Sequence, residues 1–124
     1  MRRLIRSFVI FLLLTPPVQA GAGDFLAGFD DLPVMPGLTA VDGAGIVFDT
    51  PAGRIIEGYA EGAVTKTSVR QFYDKTLPQL GWTRISSSEF RREGEHLKID
   101  FKGKDRALTV RFTLSPEKGS SRGG

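Results

Sequence analysis

The apolar pattern predicts an α+β domain, a single curved antiparallel sheet packed on one helix in the order ββαββββ. Three observations predict it. Between Val69 and Leu80, apolar positions recur at the three- and four-residue steps of one helical stripe. Residues 96–102 and 108–115 alternate apolar and polar, as strands with one dry and one wet face do. Turns bearing glycine or proline separate these runs from one another.

The chain opens differently. Arg2, Arg3 and Arg6 precede the apolar run from Phe8 to Leu14, and Val18-Gln19-Ala20 supplies the small residues a signal peptidase reads. Residues 1–20 therefore read as a signal peptide, with a cut after Ala22 as the other option. The apolar run is too short for a membrane anchor, which needs about 20 such residues. With no cysteine in the chain, a lipid-modified N-terminus is excluded.

Residues 21–44 read as an irregular arm, rich in Gly, Pro and Asp, with Phe25, Leu26, Phe29, Leu32, Val34, Met35 and Leu38 scattered through it. These apolar groups either pack across the domain or form an exposed docking segment. The small size of the domain favours drawing Phe25, Phe29 and Leu38 into the core.

The α+β domain is expected over 45–116. Ile46-Val47-Phe48 reads as a strand, closed by the turn Thr50-Pro51-Ala52-Gly53. In the next strand Ile56, Gly58, Ala60 and Gly62 share one face, and the three small residues among them leave room for a helix. Ser68 is the expected N-cap, with Gln71 completing a capping box. The stripe Val69, Phe72, Tyr73, Thr76, Leu77 and Leu80 follows, Pro78 disturbs the last turn, and Gly81 ends the helix. Short strands are then expected at 83–86 and 89–92, a hairpin loop at Glu93-Gly94-Glu95, and a further turn at Gly103-Lys104-Asp105. Pro116 closes the last strand, and residues 117–124 read as a disordered tail.

The charge excludes one class of partner. Formal net charge is +3, from 17 Lys and Arg against 14 Asp and Glu, but three of the arginines belong to the signal peptide. The mature chain is neutral, so no nucleic-acid partner is expected. Its charge is polarised: one cation faces seven acids over 21–64, and thirteen cations face seven acids over 65–124. Either the halves neutralise each other on folding, or the asymmetry marks an interaction surface.

No catalytic, metal-binding or cofactor-binding set emerges. His96 is the single histidine, and Asp100, on the same strand face, lies roughly 13 Å away, too far to orient it. Asp30-Asp31 and Glu93/Glu95 lack the spacing of a calcium loop, and Gly43-Ala44-Gly45 lacks the lysine of a phosphate loop. Two other sets remain. Lys98, Lys102 and Arg111, joined by Arg91, share the wet sheet face and could dock an acidic protein or an anionic surface. Tyr73 and Trp82 are either core aromatics or the wall of an apolar ligand site between helix and sheet.

The stretch Phe72-Tyr73 … Leu77-Pro78-Gln79-Leu80-Gly81-Trp82, followed by Phe90-Arg91-Arg92-Glu93-Gly94 and Val110-Arg111-Phe112, resembles small exported bacterial proteins of unknown function in which such a helix precedes a β-meander. The resemblance spans roughly residues 31–116 and implies an exported α+β domain without a catalytic motif. A looser similarity links the chain to helix-grip domains of bacterial envelope assembly lipoproteins, although the lipidated cysteine is missing.

The expectation is a periplasmic or secreted, non-enzymatic module with no membrane span after cleavage. It would dock an envelope protein or anionic surface through its sheet face or N-terminal arm. The alternative is a small carrier holding an apolar ligand beside Tyr73 and Trp82.

Overall fold

The computed structural model describes residues 25–117. The expected signal peptide and residues 118–124 of the expected tail lie outside the described residues. In chain order the elements are β1 (Thr39–Ala40), β2 (Ile46–Thr50), β3 (Gly53–Gly62), α1 (Lys66–Gln79), β4 (Thr83–Ser86), β5 (Glu89–Arg92), β6 (Glu95–Lys104) and β7 (Ala107–Pro116). All seven strands form one antiparallel sheet, ordered β1-β3-β7-β6-β5-β4, with β2 also paired to β3. The α+β class is thus as expected, and the arm adds the short strand β1. β1 and β2 lie along the same side of β3, through Thr39↔Glu61 and Ile46↔Glu57, while β7 takes the other side.

The turns follow local chemistry, with two corrections. Glu93 and Gly94 both have positive φ, so two residues close the β5–β6 hairpin and Glu95 already belongs to β6. β6 also continues through Gly103, which pairs with Leu108. The next turn is therefore at Asp105 and Arg106, not Gly103-Lys104-Asp105. Gly103 keeps a glycine's role inside the strand, because a Cβ at its φ of +86° would collide with the Ala107 carbonyl.

The cap of α1 lies three residues before the expected one. Thr65 is the N-cap, with Ser68 at the third helical position completing the capping box. The Thr65 hydroxyl accepts from the Ser68 N–H at 3.1 Å, and the Thr65 N–H donates to Ser68 Oγ at 3.3 Å. Ser68 therefore serves the box from its other end. The helix stops as expected, on Gly81 with φ +97°. The Trp82 N–H donates to the Leu77 carbonyl and the Gly81 N–H to the Pro78 carbonyl, each at 3.1 Å. That pair of bonds is a Schellman ending, which folds Trp82 back on the last turn.

α1 and the N-terminal arm both pack on one face of the sheet, the inner face. Val69, Tyr73 and Leu77 of α1 are buried with Phe90, Leu97, Ile99, Leu108, Val110 and Phe112 of the strands. The arm adds Leu26, Phe29, Leu32, Val34, Met35 and Leu38. Phe25 is the exception to the expected recruitment: it is 56% exposed, although it bridges to Pro33. The small-residue stripe of β3 also serves the arm rather than the helix. A Cβ at Gly58 would strike Leu26 and Phe29, and one at Gly62 would strike the Gly37 carbonyl.

Polar bonds fix the arm in place. The buried Tyr73 hydroxyl donates to the Pro33 carbonyl at 2.6 Å and accepts the Met35 N–H at 3.1 Å. Nor is Glu117 free, since its N–H donates to the Gly94 carbonyl at 2.7 Å. The ordered fold therefore runs one residue into the segment expected to be tail.

Candidate functional site

The register lays out the outer face row by row. Phe48 of β2 lies beside Ile55 of β3, then Ser115 of β7, His96 of β6 and Arg91 of β5. The next row is Ile46, Glu57, Thr113, Lys98 and Glu89, and the third is Tyr59, Arg111 and Asp100. Glu61, Thr109 and Lys102 follow. The buried helix and arm residues belong to the opposite face, so the outer face is open from β2 to β5.

The expected cationic residues do share this face, but they do not form a cationic field. Asp100 takes Arg111 at 3.2 Å and Lys98 at 3.9 Å. Arg91 pairs with Glu117 at 3.2 Å, and His96 Nε2 lies 3.7 Å from Glu89. Lys102 makes no ion pair with a described residue. Hydrogen bonding to Asp100, and secondarily to Tyr59, holds the Arg111 pKa above its ordinary value. The cations, with Lys104 beyond Lys102, therefore stand among acids, Glu57, Glu61, Glu89 and Asp100 on the strands and Glu117 beside Arg91, and the face is mixed in sign.

The one dry part of this face lies at its β2 corner. Ile46 and Phe48 are 49% and 46% exposed, with Ile55 half-buried between Phe48 and Ser115. Val47, on the opposite face of β2, is 56% exposed. β3 is the sole strand paired to β2 among the described residues, so the other edge of β2 is open.

Tyr73 and Trp82 are not brought together around one cavity. Tyr73 lies beneath the helix, edge-on to Phe72 and Phe112 at 4.8 and 5.3 Å between ring centroids. The gap it lines between helix and sheet is about 10 Å³, too small for a ligand. Burial pushes the Tyr73 hydroxyl well above its ordinary pKa, against a smaller opposing effect of the Met35 hydrogen bond. Trp82 instead lines a cleft of about 270 Å³ under the arm, with Phe29, Ile56, Leu97 and Arg54.

Arg92, which the sequence reading passed over, organises that cleft. Its guanidinium makes two hydrogen bonds to Asp31, at 3.0 and 3.2 Å, and one to the Leu80 carbonyl at 2.8 Å. It also covers the Trp82 ring at 4.3 Å. One side chain thus joins the arm, the end of α1 and β5. The Asp31 hydrogen bonds, working against partial burial, raise the Arg92 pKa. The available signal was parity, because Arg92 shares the inward side of β5 with Phe90.

Ser115 faces His96 across β6 and β7, but no hydrogen bond joins them among the described residues. Nor do three potential metal ligands cluster among the described residues, and no helix there is long and apolar enough to cross a membrane. No family model, curated protein or solved structure matches the chain.

Proposed function

We propose that this chain is an exported, non-enzymatic interaction module of the bacterial envelope that docks a protein partner across its outer sheet face. The observation that carries the reading is the one-sided use of the sheet. Helix and arm share the inner face, whereas the outer face presents a dry corner at Ile46, Phe48 and Ile55 beside mutually paired charges. A dry spot with a polar surround is how protein interfaces are commonly built. The near balance of cations and acids on this face favours a protein of mixed charge over a polyanion. Six apolar side chains of the arm are committed to the core, so the docking role passes to the sheet.

Crosslinking capture from an envelope extract tests this, using the mature chain from Gly21 and an Ile55→Lys variant as parallel baits. The expected result is one identified protein, whose purified form binds the native bait and binds Ile55→Lys at least about 10-fold more weakly. Equal binding to both baits contradicts docking on this face. Binding to anionic vesicles without any protein partner would replace the reading with a membrane-surface role. The cleft beside Trp82 favours a second reading, a carrier of a small amphipathic ligand. Native mass spectrometry of the purified chain tests it, and an unliganded mass would count against it.

A further inference from the structure

We infer that the open edge of β2 pairs with β2 of a second copy, antiparallel and two-fold symmetric about Val47. This goes beyond docking on the outer face: it shares with that reading the exposure of Ile46 and Phe48, and adds the exposure of Val47, the backbone direction and the register. The first observation is exposure. Ile46, Val47 and Phe48 are consecutive large apolar residues, each close to half exposed, on a strand that among the described residues is unpaired along one side. Such an edge is a template for another strand unless charged side chains, proline or a bulge block it. β2 has no proline, its five pairs with β3 run without a register shift, and its single charge, Asp49, is 3.6 Å from Arg54 of β3.

The second observation is the direction of the free backbone groups. The Val41 N–H donates to the Tyr59 carbonyl at 2.8 Å, so Tyr59 turns its polar groups towards the β1 and β2 side of β3. By alternation Glu57, Ile55 and Gly53 do the same, and their partners Ile46, Phe48 and Thr50 turn inwards to meet them. Val47 and Asp49 are left with N–H and C=O pointing out along the open edge.

The third is self-complementarity, which selects the register. Centred on Val47, the two strands place Val47 opposite its copy, joined by a reciprocal pair of hydrogen bonds. Ile46 then faces the copy's Phe48, Phe48 faces the copy's Ile46, and Asp49 falls opposite Gly45. Centring on Phe48 would set Val47 against a carboxylate, and centring on Asp49 would oppose two carboxylates. Charge and hydrophobicity therefore favour one arrangement. It brings Ile46, Phe48 and Ile55 of both copies into one apolar band and joins the two outer faces. The contact is small, at or below about 1,200 Å² in total, which fits a dimer that dissociates at a concentration on the order of 10 µM.

The chain has no cysteine, so a single introduced thiol is unique. Chains carrying Ile46→Cys are mixed with chains carrying Phe48→Cys under mild oxidation. In the inferred register these positions are directly opposite, with Cα atoms about 4.5 Å apart and within disulfide reach. Each variant alone would have to link across a diagonal of about 7–8 Å. The mixture should therefore form disulfide dimers at least about 10-fold faster than either variant alone. In sedimentation, the native mature chain should pass from monomer to dimer between about 1 and about 300 µM. Val47→Lys should weaken that association by at least about 100-fold while circular dichroism stays native. A native chain that remains monomeric over this range overturns the inference. A dimer indifferent to Val47→Lys, or equal linking in all three cysteine samples, overturns it too. Val47 lies on the opposite face of β2 from the docking corner, so loss of the dimer in Val47→Lys with partner binding intact would separate this edge from the docking face.

Discussion

β2 and β4 both border the sheet, yet they meet solvent in opposite ways. β4 carries Thr83, Arg84 and Ser86 around a single exposed apolar residue, Ile85, and its register shifts between Arg84 and Ser86. Arg84 Nε donates to the Ser86 carbonyl at 3.1 Å and lies 3.4 Å from Asp74 of α1. The irregular pairing and the side chain bonded back to its own strand make that edge a poor template for another chain. β2 is regular, is open among the described residues, and exposes Ile46 and Phe48 on one face and Val47 beside Asp49 on the other. Proteins commonly protect exposed edges, and the inferred pairing would cover β2 as the bulge and Arg84 protect β4.

The contrast can be tested, and separated from the stability of the core. The largest effect on folding belongs at the sheet centre, where Leu97 is fully buried and pairs with both Phe90 and Leu114. Leu97→Ala should lower unfolding free energy by about 2–5 kcal/mol in a denaturant titration. At the β2 edge, Val47→Lys should change that quantity by no more than about 0.5 kcal/mol while dispersing the dimer, because Val47 contributes little burial.

Tyr73→Phe is the next largest. It leaves the Met35 N–H and the Pro33 carbonyl without their buried partner and should cost about 1–3 kcal/mol. It also carries a pH signature. The Tyr73 pKa is raised on folding from an ordinary value of 10.0, so its contribution is fully present below pH 10 and falls as pH rises further. Urea midpoints measured from pH 8 to 11 should therefore converge between native chain and variant at the alkaline end. Unchanging separation across that range would mean the hydroxyl does not titrate as its burial requires. The smallest effect is expected at β4, where Arg84→Val removes the guarding side chain. Self-association of a Val47→Lys background should rise by a few-fold at most, because the register shift remains.

Much of the fold was legible because periodicity reports which face is dry. The alternation in β6 and β7 placed Leu97, Ile99, Leu108 and Val110 inside and Lys98, Lys102 and Arg111 outside, as found. The arm was harder to read. It has no period, and its path is fixed by the absence of side chains at Gly58 and Gly62, some 20–35 residues further along the chain. The same small residues suggested a seat for the helix, since sequence shows a hollow without showing what fills it. Arg92 and Asp31 stand 61 positions apart, so their pairing left no local trace. The openness of β2 was equally hidden: Ile46-Val47-Phe48 has the composition of a buried strand, and its edge position follows only from the pairing of β3 with β7.

Amide hydrogen exchange, read residue by residue at increasing concentration of the mature chain, tests the contrast between the two edges most directly. Paired edges should slow exchange at the Val47 and Asp49 N–H groups as concentration rises, at least about 10-fold above the dissociation constant. The amides of β4 should not respond. Exchange at Val47 and Asp49 that stays fast and independent of concentration would contradict the claim that a second copy occupies this edge.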